Sequence, residues 1–98
     1  MAKVTKEQIA EWKRKHGDVF KYTTEDGKIC YLKRPDRKIL AYAKSVAGSD
    51  PMKFNELLLE NCFIEGDDAI KIKDKYFIGI SSKLEELIEV TVGELEKL

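Results

Sequence analysis

The stretch DVFKYTTEDGKICYLK, residues 18–33, decides the fold. Residues 18–24 and 28–33 are rich in β-branched and aromatic types, and Asp26-Gly27 between them supplies the positive φ that a tight reversal needs. The stretch therefore reads as a β-hairpin. Counting outward from a two-residue turn pairs Thr24 with Ile29 and Tyr22 with Tyr31. That register puts Phe20, Tyr22, Ile29 and Tyr31 on one face. Val19, Lys21, Cys30 and Leu32 share the other. An isolated hairpin is marginal, so the aromatic face is expected to pack on a helix.

Helix signals flank the hairpin. Upstream, Thr5-Lys6-Glu7-Gln8 is a capping box, with Gln8 placed to reach back to the cap. Ile9, Trp12 and His16 form the apolar edge of this first helix. Lys13, Arg14 and Lys15 fall in its last turn, where the helix dipole favours cations, and Gly17 ends it. Downstream, Pro35 disfavours helical geometry at Arg34, and Asp36 is an N-cap. A second helix follows, with an apolar stripe of Ile39, Leu40, Ala43, Val46 and Ala47 that stops at Gly48. Asp50 as cap and Pro51 at the first helical position open a third, which carries Phe54, Leu57, Leu58 and Cys62 inward.

Residues 65–80 carry the weakest signal. Gly66-Asp67-Asp68 reads as a turn. Ile70 and Ile72 alternate with lysines and read equally as a short strand or the edge of a helix. Tyr76-Phe77-Ile78-Gly79-Ile80 reads as an irregular apolar segment. Ser82-Lys83-Leu84-Glu85 then reads as a second capping box. It opens a last helix in which Leu84, Leu87, Ile88, Thr91, Val92, Leu95 and Leu98 keep helical spacing. Gly93 inside that helix costs about 1 kcal/mol relative to Ala. The expected architecture is one α+β domain over residues 1–98: four helices, with a β-hairpin inserted after the first.

Charge divides the chain. Residues 1–48 hold twelve Lys/Arg and six Asp/Glu, a net of +6, whereas residues 49–98 hold the reverse, a net of −6. Such a split favours contact with a complementary surface, including head-to-tail pairing with another copy. The hydrophobic fraction of 43 % is that of a globular protein, and the charged fraction of 37 % exceeds the usual level of roughly 25 %. The longest apolar runs, Leu57-Leu58-Leu59 and Cys62-Phe63-Ile64, are far too short to span a membrane. Charged positions near Lys3 and Lys6 replace the apolar core of a signal peptide. A cytoplasmic protein is expected. Cys30 and Cys62 sit in apolar contexts and read as small core hydrophobes; a disulfide between them is the alternative that a reducing cytoplasm disfavours.

No catalytic constellation is visible. His16 is the only histidine, stands beside Gly17 at a helix end, and has no Ser or Cys next to it in sequence. Cys30 and Cys62 lack zinc-site spacing, and Asp67, Asp68 and Asp74 lack the calcium-loop pattern of alternating oxygens, central Gly and terminal Glu. No cofactor is expected. Two binding classes remain. Lys13-Arg14-Lys15-His16 with Lys33, Arg34, Arg37 and Lys38 could neutralise phosphates beside Tyr22 and Tyr31, so a small nucleic-acid-binding or regulatory protein is the alternative. The acidic second half opposes it. Protein–protein contact is preferred. Tyr31, Arg34, Arg37 and Tyr42 are types enriched at interfaces, and Leu95 lies on the terminal apolar stripe. That stripe suits packing on its own domain or docking in a partner's groove.

The order of elements also carries a resemblance. A capped basic helix is followed by a hairpin and by Tyr31-Leu32-Lys33-Arg34-Pro35-Asp36-Arg37 leading into a helix. Then come the Leu-rich helix Glu56-Leu57-Leu58-Leu59-Glu60-Asn61-Cys62, the acidic turn at Gly66-Asp67-Asp68 and a final leucine-zippered helix. This pattern resembles the small tail assembly chaperones of long-tailed bacteriophages and prophages, over roughly residues 7–95. The resemblance implies a non-enzymatic protein of the host cytoplasm that keeps the tape-measure protein soluble and helps to recruit tail-tube subunits. It carries over no catalytic residue. Arg34, Pro35 and Arg37 have as strong a claim to structural roles as to binding.

Overall fold

The computed structural model describes residues 4–98. The chain is α+β, with five α-helices and a three-stranded antiparallel sheet among the described residues. Helix α1 (Lys6–His16) starts at the expected capping box: the Gln8 N–H donates to the Thr5 hydroxyl, and the Thr5 N–H donates to the Gln8 side chain. Strands β1 (Val19–Thr23) and β2 (Ile29–Lys33) form the hairpin. Helix α2 (Arg37–Ala47) is capped by Asp36 and α3 (Pro51–Cys62) by Asp50, with Pro51 in its first turn. Strand β3 (Phe63–Gly66) returns beside β2, giving the order β1-β2-β3.

The hairpin register is one residue away from the expected one. Tyr22 pairs with Cys30, Phe20 with Leu32 and Lys21 with Tyr31. The loop has three residues, not two. The Gly27 N–H closes a turn on the Thr24 carbonyl at 3.0 Å, Gly27 takes φ +90°, and the Thr24 N–H then meets the Lys28 carbonyl at 2.8 Å. A three-residue turn with Gly in the left-handed position uses the same Asp-Gly dipeptide as a two-residue turn. The slip exchanges faces on β2: Cys30 and Leu32 turn inward beside Phe20 and Tyr22, and Tyr31 turns out. Tyr31 is still only 9 % exposed, because the Trp12 ring of α1 lies 5.3 Å from it.

The sheet therefore separates two unequal layers. On the inner side, Cys30 and Leu32 meet Leu58, Leu59 and Cys62 of α3, together with the segment after β3. On the outer side α1 contributes Ile9, Trp12 and His16, all half-buried, and buries no residue fully. Helices α2 and α3 pack through Ala43, Ala47, Leu57 and Phe54. Val46, expected on the inner stripe of α2, is exposed.

Residues 65–80 are ordered into elements that local signals did not resolve. Beyond β3 lie the one-turn α4 (Ala69–Ile72) and α5 (Asp74–Ser81). Ile70, Tyr76, Phe77 and Ile80 are core residues, so the apolar segment at 76–80 is helical, not irregular. The supposed capping box at Ser82 does not form; its hydroxyl donates to the Gly79 carbonyl behind it.

The long last helix is likewise replaced. A 3-10 turn (Leu84–Leu87) buries Leu84 and Leu87, Ile88 is extended (φ −83°, ψ 118°), and residues 89–98 carry no helix or strand. Helical spacing persists there, but helical chemistry does not. Val90, Thr91 and Val92 are β-branched, Gly93 follows, and Glu94 and Glu96 would oppose the dipole at the helix C-terminus.

Candidate functional site

Three apolar side chains that core packing would be expected to hide lie together at the surface. Ile72 is 75 % exposed, Ile78 60 % and Met52 53 %. Their placement follows from two short helices. The Asp67 carboxylate accepts from the Ala69 N–H at 3.0 Å and starts α4, which points Ile70 inward and leaves Ile72, two residues on, facing out. Lys73 then breaks the helix (φ −88°, ψ 127°) and α5 restarts with Phe77 inward and Ile78 outward. Met52 comes from the first turn of α3.

These residues border a groove floored by Phe77 and Leu59, with two adjoining hollows of about 410 and 390 Å³. Glu56, Glu60, Asp68 and Asp74 form its rim, against the single cation Lys71. That ammonium is already engaged, 3.6 Å from Asp68 and 4.4 Å from the Phe63 ring centre. Isolated exposed apolar residues are ordinary; a cluster with a polar rim is the form of an interaction site. An apolar floor inside a negative rim fits an apolar segment that carries Lys or Arg at its margins.

The residues singled out from sequence lie elsewhere. Arg34 is committed within the chain. Its guanidinium bonds Asp18 at 2.8 Å and the Leu87 carbonyl at 3.0 Å, approaches Glu89 at 3.5 Å, and covers the Phe20 ring at 4.7 Å. Tyr31 packs beneath Trp12. Arg37 is exposed at the start of α2, Tyr42 is exposed beside Val46 on the same helix, and Leu95 stands free in the C-terminal segment. None of the five borders the groove. Met52, Ile72 and Ile78 were missed; the signal that could have found them is Ile72, two residues from Ile70, which a helix cannot bury on the same face.

A third hollow, about 550 Å³, lies between the hairpin turn and α5, lined by Tyr22, Asp26, Lys75, Tyr76 and Lys83 among others. Here the Tyr76 hydroxyl donates to Asp26, as does the Thr24 hydroxyl. The Thr24 bond, then the Tyr76 bond, hold the Asp26 carboxyl below the usual carboxylate range; the same contact raises Tyr76. This pair latches the turn to α5. At the other side of the sheet, partial burial and then Lys33 and Lys15 lower His16, so the ends of α1 and β2 share one positive field. Burial pushes the Cys30 thiol up to about 12 and the Cys62 thiol up to about 11; both are free and fully enclosed. Among the described residues, no three His, Cys, Asp or Glu side chains gather as a metal site would require.

No protein-family model, curated protein or solved structure matches this chain.

Proposed function

We propose that this chain is a non-enzymatic adaptor of the phage tail-assembly chaperone kind, holding an apolar, cation-bearing helical segment of a tape-measure-type client. The observation that carries this reading is the groove of Met52, Ile72 and Ile78 over Phe77, with its carboxylate rim. A chaperone of this kind needs apolar surface that is exposed in the free protein and a rim that releases the client again. Of the order of elements noted in the sequence, the capped basic helix, the hairpin and the Leu-rich helix form and the closing helix does not; the part that forms supports the same reading. The test is co-expression with a tape-measure-type protein from the same genome. The client is expected to become soluble and to co-purify, and Ile72→Asp with Ile78→Asp abolishes capture while leaving the melting temperature unchanged. Capture at full strength by the double variant, or a client that stays insoluble with the native chain, overturns the reading.

The basic last turn of α1, Lys13, Arg14, Lys15 and His16, supports the second reading, nucleic-acid binding through α1 and β2. Titration of duplex and single-stranded DNA at two salt concentrations separates the two, because phosphate contacts weaken steeply as salt rises.

A further inference from the structure

The C-terminal segment is built to be a β-strand and has no strand to pair with. Its root is fixed: the Ile88 N–H donates to the Glu85 carbonyl at 3.1 Å, and Arg34 holds the Leu87 carbonyl. Beyond that point Val90, Val92, Leu95 and Leu98 are exposed. Residues 88–92, Ile-Glu-Val-Thr-Val, alternate apolar and polar side chains and consist of β-branched types except for Glu89. That composition favours an extended, half-buried strand.

The sheet offers a matching vacancy. β1 is an edge strand, and among the described residues its backbone is hydrogen-bonded only toward β2. The Thr24–Lys28 bond sets the alternation, so Val19, Lys21 and Thr23 direct their N–H and C=O groups away from β2. Phe20 and Tyr22 beside that edge remain half-buried on the inner face. Edges of this kind are templates for another strand. Charge agrees: beyond Glu89, which already faces Arg34 of its own chain, the arm carries Glu94 and Glu96 against Lys97, and the β1 edge, with Lys21, belongs to the basic half. The groove on α3–α5 does not suit the arm, because its rim is also acidic.

We propose that residues 88–92 add as a fourth strand to the free edge of β1 in a second copy of this chain, reciprocally, so that two chains exchange C-terminal arms. The shape supports exchange over folding back. A compact chain of this length has a radius of gyration of about 13 Å, whereas this one reaches 15.2 Å, with a long dimension of 57 Å. The arm projects. In the exchanged pair Ile88 stays against its own core, Val90 and Val92 continue the inner face past Phe20 and Tyr22, and the backbone groups on both sides find partners.

Sedimentation velocity over a range of concentrations tests this directly, on the full chain and on a Val90→Pro, Thr91→Pro variant. The N–H groups of adjacent strand residues point to opposite sides, so the two prolines remove a ladder donor toward β1 whichever way the arm runs, and they leave the body untouched. The full chain is expected to dimerise, with the Lys21 amide protected from hydrogen exchange in the dimer. The proline variant is expected to dissociate at concentrations about tenfold higher or more, with the same monomer melting temperature. Ile72→Asp with Ile78→Asp still dimerises, which keeps this proposal separate from client capture. A chain that stays monomeric at every concentration overturns the proposal, including one in which the arm amides are protected by the chain's own β1. So does a dimer that the prolines leave intact.

Discussion

The Arg34 guanidinium donates a hydrogen bond to the Leu87 carbonyl across 53 residues of sequence. The same side chain bonds Asp18 and covers Phe20, so one residue joins the end of the hairpin, its start and the root of the C-terminal arm. Arg34→Ala leaves a partly buried carbonyl without its donor and is expected to cost about 2 kcal/mol in urea unfolding. Arg34→Lys recovers less than half of that, because an ammonium cannot bridge two acceptors with a planar fork. Equal stability of the two variants would remove the bridging role.

Gly66 approaches β2 so closely that a Cβ would lie 2.4 Å from the Cys30 Cα and 2.6 Å from the Ile29 carbonyl oxygen. Backbone atoms cannot swing aside as a side chain can. Gly66→Ala is therefore expected to lower stability by about 3 kcal/mol, through displacement of β3 from β2. At Gly93, where an added Cβ meets nothing within 4 Å, the same substitution should be nearly silent. Parallel thermal melts of the two variants give the comparison.

Cys30 and Cys62 are expected to resist a thiol reagent at pH 8 in the folded chain and to react at once in urea. Reaction of either in the native protein faster than global unfolding would contradict their enclosure. The raised thiol pKa values also set a sign. Folding keeps the protons on, so this contribution is whole below the ordinary thiol pKa of about 9. It is lost as pH rises through the folded values of about 11 and about 12. Alkaline pH therefore weakens the fold through these two groups.

Leu58 and Leu95 are both leucines on stretches with helical spacing, and they should behave oppositely. Leu58 is enclosed by the core, and Leu58→Ala is expected to cost about 3 kcal/mol. Leu95 is fully exposed, and Leu95→Ala should change monomer stability by less than about 0.5 kcal/mol. Chemical denaturation at low protein concentration checks both.

Local chemistry was readable, and its limits are physical. The caps at Thr5, Asp36 and Asp50 each depend on a side chain within three residues, and each forms as read. The hairpin was readable but its register was not, since Gly27 serves a three-residue loop as well as a two-residue one. Residues 69–81 fold as helices because the core draws in Ile70, Phe77 and Ile80, a tertiary demand with no local signature. The terminal leucines kept helical spacing while Val90, Thr91 and Val92 argued for extension, and spacing alone was the weaker guide. The groove went unread because residues 70–72 suit a strand as well as a helix, and only the helix, with Ile70 drawn into the core, turns Ile72 outward.

Helix α1 owes the core nothing. It rests on the sheet through a few half-buried contacts, chiefly Trp12 on Tyr31. It can thus detach by itself, like a shutter lifting from a wall that stays upright. The reverse side of the hairpin, Tyr31 included, would then open to solvent for brief intervals while the rest of the fold stands, and proteolysis of the native chain would begin there.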